Sequence, residues 1–178
     1  MKWLDRIFGG PNDMAALPAG STAPDFSLPA LDGGKFSLQD ALKKGPVLAA
    51  FFKVSCPVCQ YTFPYLERIY KAHGDGNISV VGISQNDRRD TAAFLKEYGV
   101  TFATLFDDPD GYVVSNAYGL TNVPTLFLIE PDSRIEISSV GWVKQDVEDI
   151  NRRLAATHHT SPVALFKPGE EVRDFRAG

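Results

Sequence analysis

The sequence holds only two cysteines, and they stand three positions apart as Cys56-Pro57-Val58-Cys59. It holds three histidines, two methionines and two tryptophans. No basic run or stripe is present: Lys43-Lys44, Arg88-Arg89 and Arg152-Arg153 are isolated pairs, read as solvated faces, in a chain of net charge −4. That excludes a nucleic-acid footprint. No segment approaches the ~20 apolar residues of a membrane span. No Gly-Lys-Ser/Thr loop occurs, which argues against nucleotide binding. There is no internal repeat and no low-complexity tract. The first ten residues carry Asp5 and Arg6 and lack the apolar stretch of a secretory signal. Trp3, Leu4, Ile7 and Phe8 fall at helical spacing and fit docking on the domain better than grazing a membrane surface. The expectation is a cytoplasmic protein, unless an export signal has been trimmed away.

The hydrophobic share, 44% of 178 residues, suits one domain with a real core. Three parts are expected: a flexible leader over 1–20, one domain over 21–156, and an irregular tail over 157–178. Residues 26–38 read as a hairpin turning at Asp32-Gly33-Gly34. A short helix is expected over 39–44. The apolar run Val47 to Val54 has strand length and suits a strand covered on both faces. A helix should start near Pro57, with Phe63, Leu66, Ile69 and Tyr70 on one face, and stop at His73-Gly74. Strands are expected over 78–84, 101–106, 125–129 and 135–140. Helices are expected over 89–98, 113–118 and 145–156. Alternating strands and helices make an α/β sheet with helices on both faces. The last two strands, joined by a tight turn, should pair antiparallel, so the sheet is mixed.

The cysteine pair sits where a buried strand gives way to a helix. The first turn of a helix has unsatisfied N–H groups and the positive end of its dipole. Cys56 at that end should have its thiolate stabilised and its pKa depressed, and the thiolate is the form that attacks a disulfide. Pro57 fits the first helical position. Cys59, about one turn on, should lie deeper and close enough to pair with Cys56. Cys56 is then the nucleophile and Cys59 the resolving thiol. Half of a zinc site is the competing reading, but His73 lies ~20 Å along the same helix, and four ligands are wanted. No metal and no cofactor are expected. A redox-inert buried pair is the other alternative. Asp107-Asp108-Pro109-Asp110-Gly111 is read as a turn, not a calcium loop, because the twelfth position is Tyr118.

These pieces together resemble the thioredoxin-like superfamily, in particular the TlpA/ResA-like thiol–disulfide oxidoreductases and their AhpC/TSA redoxin relatives. The similarity runs from about Ala23 to Ala155. It rests on Ala23-Pro24-Asp25-Phe26-Ser27-Leu28, the hairpin Asp32 to Leu38, the cysteine pair, Val80-Val81-Gly82-Ile83-Ser84, and Tyr118 to Ile129. The resemblance implies a thioredoxin-like fold with an N-terminal hairpin extension. It implies exchange with protein or small-molecule disulfides, and a reductant such as thioredoxin or glutathione. Pro124, by itself an ordinary trans proline opening a strand, becomes by resemblance a cis proline facing the disulfide. Val123 before it should offer its backbone N–H and C=O to substrate. Pro64 matches the proline that kinks the family's helix.

The departures matter. The usual aromatic before the first cysteine is Ser55, and the buried acid that thioredoxins place six positions before it is Ala50. Proton transfer to or from Cys59 must then use water or another group. Pro57-Val58 supplies no charge, which implies a moderately reducing to intermediate potential. Lys53 could favour the Cys56 thiolate, although a solvated lysine is the simpler reading. A peroxidase of this superfamily would carry Pro-X-X-X-Thr/Ser-X-X-Cys. Here those positions hold Ala49 and Lys53, which argues against peroxidase activity. A thioredoxin-fold binding module with an idle cysteine pair is the remaining alternative.

Overall fold

The computed structural model describes residues 15–107 and 110–178. The expected helical spacing at Trp3–Phe8, most of the leader, and the centre of the 107–111 turn lie outside them. The elements in chain order are β1 (Ser27–Pro29), β2 (Lys35–Ser37), α1 (Leu38–Leu42), β3 (Val47–Phe52), α2 (Pro57–His73), β4 (Ser79–Ser84) and α3 (Arg88–Glu97). They continue as β5 (Ala103–Phe106), α4 (Val113–Ala117), β6 (Thr125–Ile129), β7 (Ile135–Val140), β8 (Trp142–Val143), α5 (Lys144–Thr157) and β9 (Phe175–Arg176).

The main sheet has the order β5-β4-β3-β6-β7. β3 pairs parallel with β4 on one side and antiparallel with β6 on the other. β5 extends the parallel half and β7 the antiparallel half. The sheet is mixed, as the tight turn before β7 predicts. Each of the six residues of β3 is buried. Side chains alternate across a strand, so its apolar run feeds two cores. Leu48, Ala50 and Phe52 pack with Cys59, Phe63, Leu66 and Ile69 of α2, Phe94 of α3, and Val147, Ile150 and Leu154 of α5. Val47, Ala49 and Phe51 pack on the other face with the hairpin, Leu38 and Leu42 of α1, Val114 of α4, and Tyr118. The hairpin pairs Ser27 with Ser37 and Pro29 with Lys35.

Element ends move where a side chain takes a backbone group. β3 stops at Phe52 because the Val54 N–H donates to Asn86 Oδ1 at 2.9 Å. β5 starts at Ala103, later than expected, where the Thr101 N–H is taken by Glu67 Oε2 at 2.9 Å. α1 begins at Leu38 because Ser37 Oγ accepts from the Asp40 N–H. α3 ends at Glu97, one residue before the expected 98, and just beyond it Gly99, with φ of 66°, lets the Val100 N–H return to the Leu95 carbonyl at 2.9 Å.

Residues past α5 are irregular until β9, yet they are docked. Leu165 is buried, and Phe166 sits edge-on to Tyr65. Asn151 Nδ2 donates to the Val163 carbonyl at 2.7 Å. Arg68 holds Glu170 through two N–O contacts of 2.8 Å and also donates to the Leu165 carbonyl. β9 pairs antiparallel with β8. Among the described residues no helix is long and apolar enough to cross a membrane.

Candidate active site

The parallel pair β3–β4 and the antiparallel pair β3–β6 bring three chain segments to one edge of the sheet. β3 ends there, β4 ends beside it, and β6 begins there, with Phe51 opposite Thr125. The turn after β3 carries Cys56. Its N–H donates to the Lys53 carbonyl at 3.2 Å, while Gln60 Nε2 donates to the Val54 carbonyl at 3.0 Å. With the Asn86 contact, these bonds fix the approach to α2.

Cys56 is the N-cap of α2, in extended conformation, and Pro57 follows at the first helical position. The Cys56 sulfur does what a serine or aspartate oxygen does at most helix starts: it accepts a backbone N–H, here that of Cys59 at 3.3 Å. No acidic residue lies in the first turn. Cys56 is half-buried, and Cys59 is fully buried. Burial, and then the hydrogen bond to Cys56, push the Cys59 thiol far above its ordinary range. The two sulfurs thus differ in the way expected of an outer and an inner thiol.

The Val123–Pro124 peptide is cis. Cys56 Sγ donates to the Val123 carbonyl at 3.3 Å, which places that peptide directly over the outer thiol. The Val123 N–H has no hydrogen-bond partner among the described residues. The loop is tied down by Thr125 Oγ1 donating to the Asn122 carbonyl at 2.7 Å, and by the Gly141 N–H donating to the Pro124 carbonyl at 2.7 Å. All four residues expected at the site, Cys56, Cys59, Val123 and Pro124, are therefore brought together. Beside them a cleft of about 200 Å³ is lined by Lys53, Gln85, Leu120, Thr121, Asn122 and Val123. Lys53 is exposed and forms its rim. Ala50 is buried in the same core as Cys59, so the position six before Cys56 carries no acid.

Sequence reasoning missed Asn86, Gln60 and Tyr61. Asn86 shapes the turn after β3, and ligands of open α/β sheets gather at the carboxyl ends of strands. Its place just after β4 was the available signal. Tyr61 receives the C-terminal segment: the Arg173 N–H donates to its hydroxyl at 3.0 Å. No group of metal-ligating side chains occurs among the described residues.

Comparisons with known proteins agree with this geometry. Residues 19–138 match the AhpC/TSA family. The chain is similar to the thiol-disulfide oxidoreductase ResA of Bacillus subtilis, with 31% identity over 93% of this chain and 84% of that one. ResA of Geobacillus thermodenitrificans is 30% identical over 80% and 79%. Among solved structures, a thiol:disulfide interchange protein DsbE from Chlorobium tepidum, described as putative, superposes with a TM-score of 0.66. It is 29% identical and covers 79% of this chain and 98% of its own. The thioredoxin domain of a Bacteroides vulgatus thiol-disulfide oxidoreductase gives 0.67 at 25% identity, covering 76% and 96%.

Proposed function

The chain belongs to the AhpC/TSA family, within its ResA-like thiol–disulfide oxidoreductases, and from that premise we propose that Cys56 is the attacking sulfur, Cys59 the resolving one, and Val123–Pro124 the wall that receives substrate. The observation that carries this division is the unequal burial of two sulfurs at one helix start, with the Val123 carbonyl on the outer one.

The Cys56 thiolate attacks one sulfur of a substrate disulfide. That S–S bond breaks, the other substrate sulfur leaves as a thiolate, and a Cys56–substrate disulfide forms. Cys59 then gives up its proton and attacks Cys56 Sγ. The mixed disulfide breaks, and the second substrate sulfur leaves. Two electrons have passed from the dithiol to the substrate, and the two thiol protons end on its sulfurs. A thiol reductant returns Cys56–Cys59 to the dithiol. With Ala50 buried beside Cys59, the proton of the second step passes to water or to the departing substrate sulfur. The unpaired Val123 N–H and its carbonyl offer a short backbone pairing to an extended substrate. The partners proposed are polypeptide or small-molecule disulfides, with thioredoxin or glutathione as reductant.

Insulin reduction, run beside hydrogen peroxide consumption, tests the assignment. Cys56→Ser should lose insulin reduction by roughly 100-fold or more. Cys59→Ser should accumulate a mixed disulfide that dithiothreitol releases, visible by mass. Peroxide consumption that outpaces insulin reduction would sink the proposal, as would a trapped adduct on Cys59 in the Cys56→Ser protein.

A further inference from the structure

The segment from Arg173 to Gly178 runs to the edge of the site. Its first part is anchored on the helix that carries the cysteines. The Arg173 N–H donates to Tyr61 Oη, the Arg173 carbonyl accepts from Trp142 Nε1 at 2.6 Å, and the Arg176 guanidinium lies 4.8 Å over the Tyr61 ring. Pairing of Trp142 with Arg176 then directs the strand toward the cis-proline loop.

There the packing is backbone on backbone. A side-chain carbon added to Gly178 would stand 2.6 Å from the Val123 carbonyl oxygen and 3.1 Å from its carbon. Asn122 Nδ2 donates to the Gly178 carbonyl at 3.0 Å. Gly141, with φ of 75°, is also needed: a side-chain carbon there would meet the Arg176 carbonyl oxygen at 2.5 Å and the Gly178 nitrogen at 2.9 Å. Three glycine-dependent or side-chain-free approaches therefore seat Ala177–Gly178 alongside the carbonyl to which Cys56 points. The Lys53–Gln85–Leu120 cleft, where space is open, also borders Val123.

We propose that Ala177–Gly178 is a specificity element that fills one lane beside Val123, so that small disulfides reach Cys56 freely while an extended polypeptide must displace the segment or enter by the cleft. This rests on the reading of Val123 as the substrate wall. The hold on Ala177 and Gly178 is light, since both are exposed and one side-chain hydrogen bond, from Asn122, reaches them among the described residues.

The test is single-turnover oxidation of the reduced protein by insulin and by dithiobis(nitrobenzoate), in the full chain and in a variant lacking Ala177 and Gly178. That deletion leaves β9, Trp142 and the Arg173 contacts in place. Expected is a rise of about five-fold or more in the insulin rate constant, with the small-disulfide rate constant within about two-fold. Arg176→Ala, which removes the stacking on Tyr61 but keeps the chain length, should move the ratio the same way by a smaller factor. An unchanged ratio overturns the inference. So does an equal change in both rates, or a fall in the insulin rate, which would make the segment part of the receiving surface. Failure of the full chain to react with either disulfide through Cys56 would instead defeat the assignment of the site itself.

Discussion

Two sulfurs one helical turn apart are given different chemistry by how much water reaches them. Cys59 is fully covered, and loss of water raises its thiol far above the usual range, with the Cys56 hydrogen bond adding to the rise. At neutral pH the native dithiol should therefore take up one equivalent of iodoacetamide, on Cys56, and a second only after unfolding in guanidinium. Peptide mapping of the label reads this directly, and labelling of Cys59 in the native protein would contradict it. The sign of the pH dependence follows from the same burial. A thiol whose folded pKa lies above its unfolded value of about 9.0 keeps its proton in the fold when the unfolded chain has lost it. The dithiol form should then lose stability as pH rises past about 9. The disulfide form, having no thiol to titrate, should show no such loss. Urea midpoints of the two forms between neutral pH and pH ~10 give the comparison.

At the level of elements, α2 is held by its aromatic face more than by its caps. Phe63 is fully buried, with its ring 4.3 Å from that of Phe52 on β3, 5.4 Å from Phe94 on α3 and 5.7 Å from Phe102 before β5. Phe63→Ala should cost about 3–5 kcal/mol, measured by urea unfolding, and loosen the helix that presents both cysteines. Elements of this kind were legible in the sequence because one periodicity governed each. The run Val47–Phe52 had no polar interruption, and α2 repeated its apolar residues at helical spacing. The positions of Cys56 and Cys59 followed from that junction. What shifted were ends governed by distant side chains: Asn86 closing β3, and Glu67 delaying β5. No local pattern announces a hydrogen bond from a residue 32 or 34 positions away. Val123 was legible only through family resemblance, since the residue itself carries no chemistry beyond its backbone.

For the whole molecule, the unanticipated feature is the packing of residues beyond α5. Their composition reads as irregular, and the contacts that order them are dispersed along the segment, among them a buried leucine, a tryptophan N–H, the pairing of β9 with β8 and the Arg68–Glu170 ion pair. Arg68 and the Lys167 N–H hold the Glu170 carboxyl down to about 2, from an ordinary 4.5. A depressed carboxyl contributes stability above its unfolded pKa and loses it as pH falls through the folded one. The docked segment should therefore loosen between pH ~4.5 and ~2, with amide exchange at residues 163–176 rising before that of β3. In Glu170→Gln that acid-dependent step should be absent, and its persistence would remove the ion pair from the account.

The mixed sheet has one more consequence, in time and not in space. Cys56 and the carbonyl it faces are 67 residues apart in the chain, although their strands are neighbours. At ~5–20 residues per second, a ribosome takes roughly 3–13 s to pass from one to the other. Gly178, which packs on the same loop, follows Asn122 by another 56 residues. Each newly made molecule therefore passes through an interval in which its thiols exist without their wall. Any reaction they undergo then is chosen by encounter alone.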